Sequence, residues 1–249
     1  MLESELKVEI PYFIFFPERS GSTFLVHLLN SHPDVHCEHE LFFVRKRPDS
    51  NHLDPGLTLE KDKLEILKKI YQASGVKASG FKFKFSAQYE AYPDVYRYLL
   101  RNMDSIKVIF LYRKNLLKTA ISRQNLKRLT QAGEKHFLKP EDNYDLAKID
   151  LDLQQAKRYL NWSTRELDFF QRASKVFEHR IEVTYEDLVA DTHSTLNNIF
   201  KFLGVDPLEQ DVAAPTKKIT DDNLPNAVAN YDEMVEFFQT TRFSQFLEI

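Results

Sequence analysis

A short polar segment between an apolar run and a helical pattern carries residue types that bind phosphate. It contains an arginine, a glycine, three hydroxyl residues and a phenylalanine: Arg19, Ser20, Gly21, Ser22, Thr23 and Phe24. The glycine permits a tight turn, after which the first backbone amides of a helix have no partner within the helix. Such amides bind anions together with neighbouring hydroxyls, and Arg19 can add a charge-assisted contact. The segment is a candidate phosphate loop, although a helix capped by its own serine or threonine is the alternative.

The residue order of this loop argues against one class of phosphate chemistry. Kinases and hydrolases of nucleoside triphosphates use a loop that ends in Gly-Lys-Ser or Gly-Lys-Thr. No such tripeptide is present, and Arg19 precedes the turn instead. Hydrolysis of a nucleoside triphosphate is therefore disfavoured, and a P-loop-like kinase is kept only as an alternative function.

A second candidate phosphate contact follows another apolar run, at residues 108–112. Arg113 comes directly after that run, and Ser122 lies in the helical pattern that comes next. An arginine at the carboxyl end of a parallel strand lies where open α/β sheets bind ligands, and its guanidinium can hold a phosphate through two hydrogen bonds. An ordinary surface ion pair is the alternative for Arg113.

Carboxylates and imidazoles alternate along residues 36–40. A strand here puts His36, Glu38 and Glu40 on one face and His39 on the other. A carboxylate in such a position can act as a general base. Imidazole and carboxylate groups also bind zinc, but no third spaced histidine motif joins them, so we expect no metal. A polar surface strand is the alternative.

Two lysines alternate with phenylalanines at residues 80–85. Because side chains alternate along a strand, Lys82 and Lys84 share one face. Either lysine can place positive charge beside a reacting group, and two solvated strand lysines are the alternative.

These residues need a scaffold in which strands alternate with helices. Strands are predicted at residues 12–16, 78–85, 106–112 and 181–184. Helices are predicted from residue 22 and at 59–75, 95–102, 116–129, 146–173, 194–203 and 228–239, with loops at 131–145 and 207–226. This alternation predicts an α/β fold, and 249 residues with 43% hydrophobic content suffice for one domain over residues 1–249.

Taken in order, these motifs resemble the sulfotransferases that use 3′-phosphoadenosine-5′-phosphosulfate (PAPS), particularly the carbohydrate and bacterial branch with its trehalose-type members. The resemblance implies a P-loop-kinase-like three-layer fold, with a mainly parallel central sheet flanked by helices. It also implies that PAPS is the sulfuryl donor and that 3′-phosphoadenosine-5′-phosphate (PAP) is the product. The acceptor would be a hydroxyl of a carbohydrate-like or other small molecule.

The resemblance also gives each motif a role. The segment from Arg19 to Phe24 would bind the 5′-phosphosulfate, while Arg113 and Ser122 would bind the 3′-phosphate. The spacing between these last two is one residue longer than in the common cytosolic branch. The general base would be Glu40, with Glu38 in reserve, and Lys82 would neutralise charge on the transferring sulfuryl group.

Two further segments resemble parts of the same family. Tyr185 begins a Tyr-Glu-Asp-Leu segment. In the family the tyrosine of the similar segment contacts the adenine, so the resemblance implies this role for Tyr185, and a packing residue is the alternative. Lys217 and Lys218 precede a tail that resembles a loop closing on the donor, and a solvated charge pair is the alternative there.

Composition narrows the remaining function classes. A formal net charge of −3 gives no overall reason to expect nucleic-acid binding. The one cysteine, Cys37, allows no intrachain disulfide and no cysteine-rich metal site, so we expect a reducing, cytoplasmic location. The amino-terminal residues do not resemble a signal peptide, and no apolar run approaches the roughly 20 residues of a membrane span. Sulfotransferases often pair, so a homodimer is one expectation, and a non-catalytic nucleotide-binding module is the alternative to an enzyme.

Overall fold

The computed structural model describes residues 8–39, 60–72, 75–84, 93–134, 146–212 and 218–247. The chain divides into two compact units. The first contains Met1–Tyr112 and Phe170–Val212, and the second contains Arg113–Phe169 and Ala213–Ile249. The expectation of a single domain over residues 1–249 stays a prediction.

Five strands of the first unit form one parallel sheet. They are β1 (Ile10–Phe16), β2 (Val35–Glu38), β3 (Ala78–Lys84), β4 (Lys107–Tyr112) and β5 (Arg180–Thr184). Their order is β2-β3-β1-β4-β5, and every neighbouring pair is parallel. Parallel sheets are covered on both faces, which explains why β1 and β4 are continuous apolar runs. The predicted parallel sheet is confirmed, and the predicted strands end within about two residues of the observed ones.

The helices of the described residues follow the predicted alternation. They are α1 (Ser22–Leu29), α2 (Glu60–Ile70), α3 (Pro93–Arg101), α4 (Leu116–Gln131), α5 (Leu153–Ser174), α6 (Tyr185–Ala190), α7 (Thr192–Leu203), α8 (Leu224–Ala227) and α9 (Tyr231–Gln239), followed by a 3₁₀ turn at Ser244–Phe246. None of these helices combines the length and the apolar character that a membrane crossing requires.

The two faces of the sheet bury different kinds of side chain. Tyr12, Ile14 and Phe16 of β1 belong to a mainly aliphatic core that includes residues of α1 and α7. Phe13 and Phe15 point the other way, into a cluster of aromatic rings contributed by Phe81, Phe83, Phe110, Phe170 and Phe177. Much of the aromatic content of the chain is therefore core.

The long helix predicted for residues 146–173 is wrong at its start, because α5 begins at Leu153. The carboxylate of Asp152 accepts a hydrogen bond from the Gln155 amide, 2.8 Å away, and so caps the helix. Before it, Ile149 pairs with residues of a distant segment: its amide donates to the Ala227 carbonyl at 3.0 Å, and its carbonyl accepts from the Ala229 amide at 2.8 Å. These partners take the place of helical hydrogen bonds.

Two predictions near the carboxyl end also differ from the structure. Val228 forms an isolated parallel bridge with Ile149, so the helix predicted from Val228 begins at Tyr231 instead. The predicted loop at 207–226 also ends in a helical turn, α8, which the side chain of Asn223 caps. The residues of that loop numbered 213–217, and most of the predicted loop at 131–145, lie outside the described residues.

Candidate functional site

The loop between β1 and α1 has an unusual backbone. Gly21 has φ 84°, in the left-handed region, and Arg19 has φ 60° without being a glycine. A non-glycine residue in that region costs on the order of 1–3 kcal/mol, and such strain gathers at ligand sites. Gly21 is the N-cap of α1 and has no side chain, so this N-cap residue gives the first turn of the helix no side-chain hydrogen bond. The amides that the sequence predicted for an anion are therefore not capped by their own N-cap residue.

Ser20 adds a second sign of a ligand. Its side chain is 1% exposed, and its Oγ has no hydrogen-bond partner among the described residues. A buried hydroxyl without a partner costs about 1–3 kcal/mol. An anion bound at the loop would supply the missing partner, so the residues present fit a phosphate.

Tyr185 lies against this loop. A β-carbon built on Gly21 would come within 2.5 Å of Cδ2 in the Tyr185 ring. Tyr185 is half-buried and begins α6 directly after β5, so that strand places its ring beside Gly21. The sequence pattern does not indicate this contact, because Gly21 and Tyr185 belong to separate motifs that are far apart in the chain.

Both predicted strand lysines contact the same region. The Lys82 Nζ donates a hydrogen bond to Thr23 Oγ1 at 2.9 Å and lies 5.6 Å from the centre of the Phe16 ring. Lys82 is 6% exposed, so it is buried rather than solvated. Lys84 forms an ion pair with Glu18 at 3.0 Å. The loop residues Ser22 and Phe24 are buried and partly buried, and Phe24 packs against the aliphatic core.

The candidate base region is partly described. His36 and Glu38 lie on the partly exposed face of β2, and His36 Nε2 is 3.0 Å from Glu38 Oε1. Glu40 lies outside the described residues. Cys37 points to the opposite, buried face, where burial raises the pKa of its thiol to about 12. The described residues hold no group of three or more His, Cys, Asp or Glu side chains that could bind one metal ion.

Two imidazoles to which the sequence assigned no role in the site lie near Lys82. The rings of His27 and His39 meet edge to face, with centres 5.3 Å apart. Burial lowers the pKa of each imidazole, and the positive charge of Lys82 lowers the pKa further. The sequence contained one signal for His27: it lies one helical turn after Thr23, so a helix places both side chains on the same face.

These imidazoles predict a pH dependence of stability. Because the pKa of each is lower in the folded chain than the usual value near 6.5, the unfolded chain binds more protons as the pH falls below that value. We therefore expect the free energy of unfolding to fall as the pH drops through about 6.5, and to level off below the folded pKa values. Urea unfolding of the wild type and of His27→Asn/His39→Asn at several pH values measures this. The double variant should depend less on pH in this window, and identical slopes would contradict the assignment.

The second predicted phosphate contact lies in the second unit. Arg113, the residue directly after β4, has a 10% exposed side chain, and its Nη2 donates to Asp222 Oδ1 at 2.8 Å. Lys218 pairs with the other oxygen of the same carboxylate. Burial raises the pKa of Asp222, but the hydrogen bond from Lys218 and the charges of Arg113, Lys218 and Lys118 outweigh it and hold the pKa below its usual value.

Helix α4 carries further polar residues near the group formed by Arg113, Lys218 and Asp222. Ser122 is 8% exposed on that helix, and Lys118 and Asn125 lie on the same side, one turn before it and one turn after it. Asn125 donates to the Ile219 carbonyl at 2.6 Å and to the Thr220 hydroxyl at 3.0 Å. The structure thus brings Arg113 and Lys218 together around Asp222. Asp222 and Lys118 were not identified from the sequence, and Lys217 lies outside the described residues.

Comparison with known proteins gives matches of three kinds: a family model, a curated protein and solved structures. A model of the sulfotransferase family matches residues 11–210. Nodulation protein H of Rhizobium tropici is 23% identical over 244 residues, covering 96% of this chain and 93% of that protein. The crystal structure of a sulfotransferase from Alicyclobacillus acidocaldarius superposes with a TM-score of 0.50 at 20% identity, covering 95% of this chain and 93% of that chain.

Proposed function

Since this chain belongs to the sulfotransferase family and is an enzyme of that family, we propose that it transfers the sulfuryl group of PAPS to an acceptor hydroxyl, with PAP as the product. The acceptor is a carbohydrate-like or other small molecule. The observation that carries the proposal is the phosphate loop, where the N-cap residue of α1 has no side chain and the buried Ser20 hydroxyl has no partner among the described residues.

In this proposal the loop between β1 and α1 binds the 5′ end of the donor. The first amides of α1 and the hydroxyls of Ser20, Ser22 and Thr23 donate to the 5′-phosphosulfate oxygens. Arg19 adds a charge-assisted contact, and the Tyr185 ring, which packs on Gly21, contacts the adenine. The absence of a β-carbon at Gly21 is what permits the ring to lie so close to the loop.

In this proposal Arg113, Ser122 and two lysines near the carboxyl end contact the 3′-phosphate. The Arg113 guanidinium binds it through two hydrogen bonds, Ser122 donates its hydroxyl, and Lys217 and Lys218 add positive charge. The 3′-phosphate distinguishes PAPS from ordinary adenine nucleotides, so these residues determine which nucleotide is accepted.

The chain's own residues then assist a direct displacement. Bound PAPS supplies a sulfur atom that the acceptor oxygen attacks, while the bond from sulfur to the bridging phosphate oxygen breaks. Glu40, with Glu38 as the reserve, takes the proton of the acceptor hydroxyl. Lys82 and the loop amides stabilise the negative charge that develops on the bridging oxygen, and the buried position of Lys82 strengthens that effect.

Replacement of the two glutamates tests the mechanism. A positioned general base contributes roughly 100- to 10,000-fold, so we expect Glu40→Gln to lower turnover by at least about 100-fold with little change in PAP affinity. Glu38→Gln should lower turnover much less. Radiolabelled PAPS and a panel of oligosaccharide, phenol and sterol acceptors measure turnover, and calorimetry measures PAP binding.

The pattern of losses separates the alternatives. A loss confined to Glu38→Gln would move the base to Glu38, and normal turnover in both variants would remove the glutamate base from the mechanism. A wild-type chain that binds PAP but transfers sulfate to no acceptor would favour a binding module, and turnover of ATP would favour a kinase.

A further inference from the structure

The charged cluster of the second unit contains more than the residues assigned to the 3′-phosphate. Asp222 lies between two of the cations, with Oδ1 accepting from Arg113 at 2.8 Å and Oδ2 accepting from Lys218. Lys118, on α4, is close enough for its charge to lower the pKa of this carboxyl further. The Asp222 carboxylate therefore accepts a charge-assisted hydrogen bond from the Arg113 guanidinium, as a phosphate oxygen would.

The cations that contact or face Asp222 also suit a phosphate. The charges of Arg113, Lys218 and Lys118 all lower the pKa of the Asp222 carboxyl. A phosphate monoester carries about −1.5 to −2 at neutral pH, which is more negative charge than one carboxylate offers to the same cations. Arg113 is 10% exposed, and such a charge needs a partner when no ligand is bound.

Asp222 is not needed to tether its own segment. Asn125, which is 1% exposed, already holds the backbone of Ile219 and the hydroxyl of Thr220. Beyond Thr220, the Asn223 amide donates to the Asp221 carboxylate at 2.8 Å, and the Asn223 side chain caps α8. The position of Lys218 is thus supported independently, which leaves the Asp222 carboxylate available for another role.

We propose that Asp222 is an internal counterion of the 3′-phosphate subsite, and that the 3′-phosphate of the nucleotide displaces it from Arg113 and Lys218. The inference rests on the proposed function. Asp222 keeps the cations paired before the nucleotide binds, and its displacement offsets part of the affinity for PAPS and PAP. Breaking the new contacts to release PAP then costs less, because Asp222 returns to the same cations.

Neutralising this carboxylate should tighten PAP binding. We expect Asp222→Asn to bind PAP about tenfold more tightly, since a charged hydrogen-bonded contact no longer competes with the phosphate. Binding of 5′-AMP, which has no 3′-phosphate, should not change. PAP should also dissociate about tenfold more slowly. Calorimetry with both nucleotides and stopped-flow release of PAP measure these effects on the full chain.

Asp221→Asn is the matched control. It removes the same charge one residue away, but Asp221 contacts the Asn223 amide and not the basic cluster, so PAP affinity should stay at the wild-type value. Equal tightening in both variants would show a general charge effect and overturn the proposal. Unchanged or weaker PAP binding by Asp222→Asn would also overturn it.

A structure of the wild-type chain with PAP gives an independent test that needs no variant. The 3′-phosphate should occupy Arg113, with Asp222 no longer hydrogen-bonded to that guanidinium. An Arg113–Asp222 pair that persists beside bound PAP would overturn the counterion role while leaving the proposed function intact. A wild-type chain that binds PAP and 5′-AMP equally would instead overturn the proposed function itself.

Discussion

Arg113→Ala is expected to lower PAP affinity by at least about 100-fold while leaving 5′-AMP affinity nearly unchanged. Two charge-assisted hydrogen bonds to the 3′-phosphate are lost, and each contributes roughly 1.5–3 kcal/mol, so the combined loss exceeds a factor of 100. Calorimetric titration with both nucleotides measures the two affinities. Arg113→Lys should fall in between, because a lysine keeps the charge but cannot make the paired contact.

Arg123→Ala provides the control for this experiment. Arg123 belongs to the same unit and the same helix as Ser122, but its guanidinium lies over the Tyr159 ring, 4.7 Å from the ring centre. Both nucleotides should bind this variant as they bind the wild type. If Arg113→Ala still bound PAP more tightly than 5′-AMP, Arg113 would not bind the 3′-phosphate, and other cations would have to do so.

Gly21→Ala should impair both stability and catalysis. Alanine in the left-handed region costs roughly 1–2 kcal/mol, and its β-carbon would lie 2.5 Å from the Tyr185 ring, so loop or ring must move. Because small misplacements of a reacting group can cost about 100-fold in rate, we expect turnover to fall by at least tenfold and PAP affinity to weaken. Urea unfolding, calorimetry and a transfer assay measure the three effects.

Gly75→Ala isolates the backbone part of this effect. Gly75 has φ 90°, but no described atom lies within 4 Å of the place where a β-carbon would stand, so alanine there meets strain without a collision. It should lose about 1–2 kcal/mol of stability and keep normal PAP affinity and turnover. If Gly21→Ala behaved in the same way, the contact with Tyr185 would have no part in donor binding.

Local patterns predicted most of the fold. The apolar runs of β1 and β4 and the polar turn before α1 are signals that lie within a few neighbouring residues, and the structure bears them out. The start of α5 could not be found in this way. It depends on Ile149 pairing with Val228 and on Asn230 binding the backbone of Leu151, 79 residues away.

The same distinction applies to the candidate site. Arg113 could be singled out because it follows an apolar strand, but its partner Asp222 is 109 residues away, and no spacing rule joins the two. Alternation predicted that Lys82 shares one face of β3 with Lys84, while the burial of Lys82 was left open. Its burial follows from a sheet covered on both faces, which alternation within one strand does not reveal.

The strand order has a consequence for how the chain is made. The central strand, β1, leaves the ribosome before the other four strands, and its neighbours β3 and β4 follow much later, after α2 and α3 respectively. Until they emerge, the most apolar stretch of the sheet, Ile10–Phe16, has no strand beside it. Non-local pairing of this kind is slow, and exposed strands associate with other chains. The growing polypeptide therefore passes through an aggregation-prone stage, which a slower rate of synthesis prolongs.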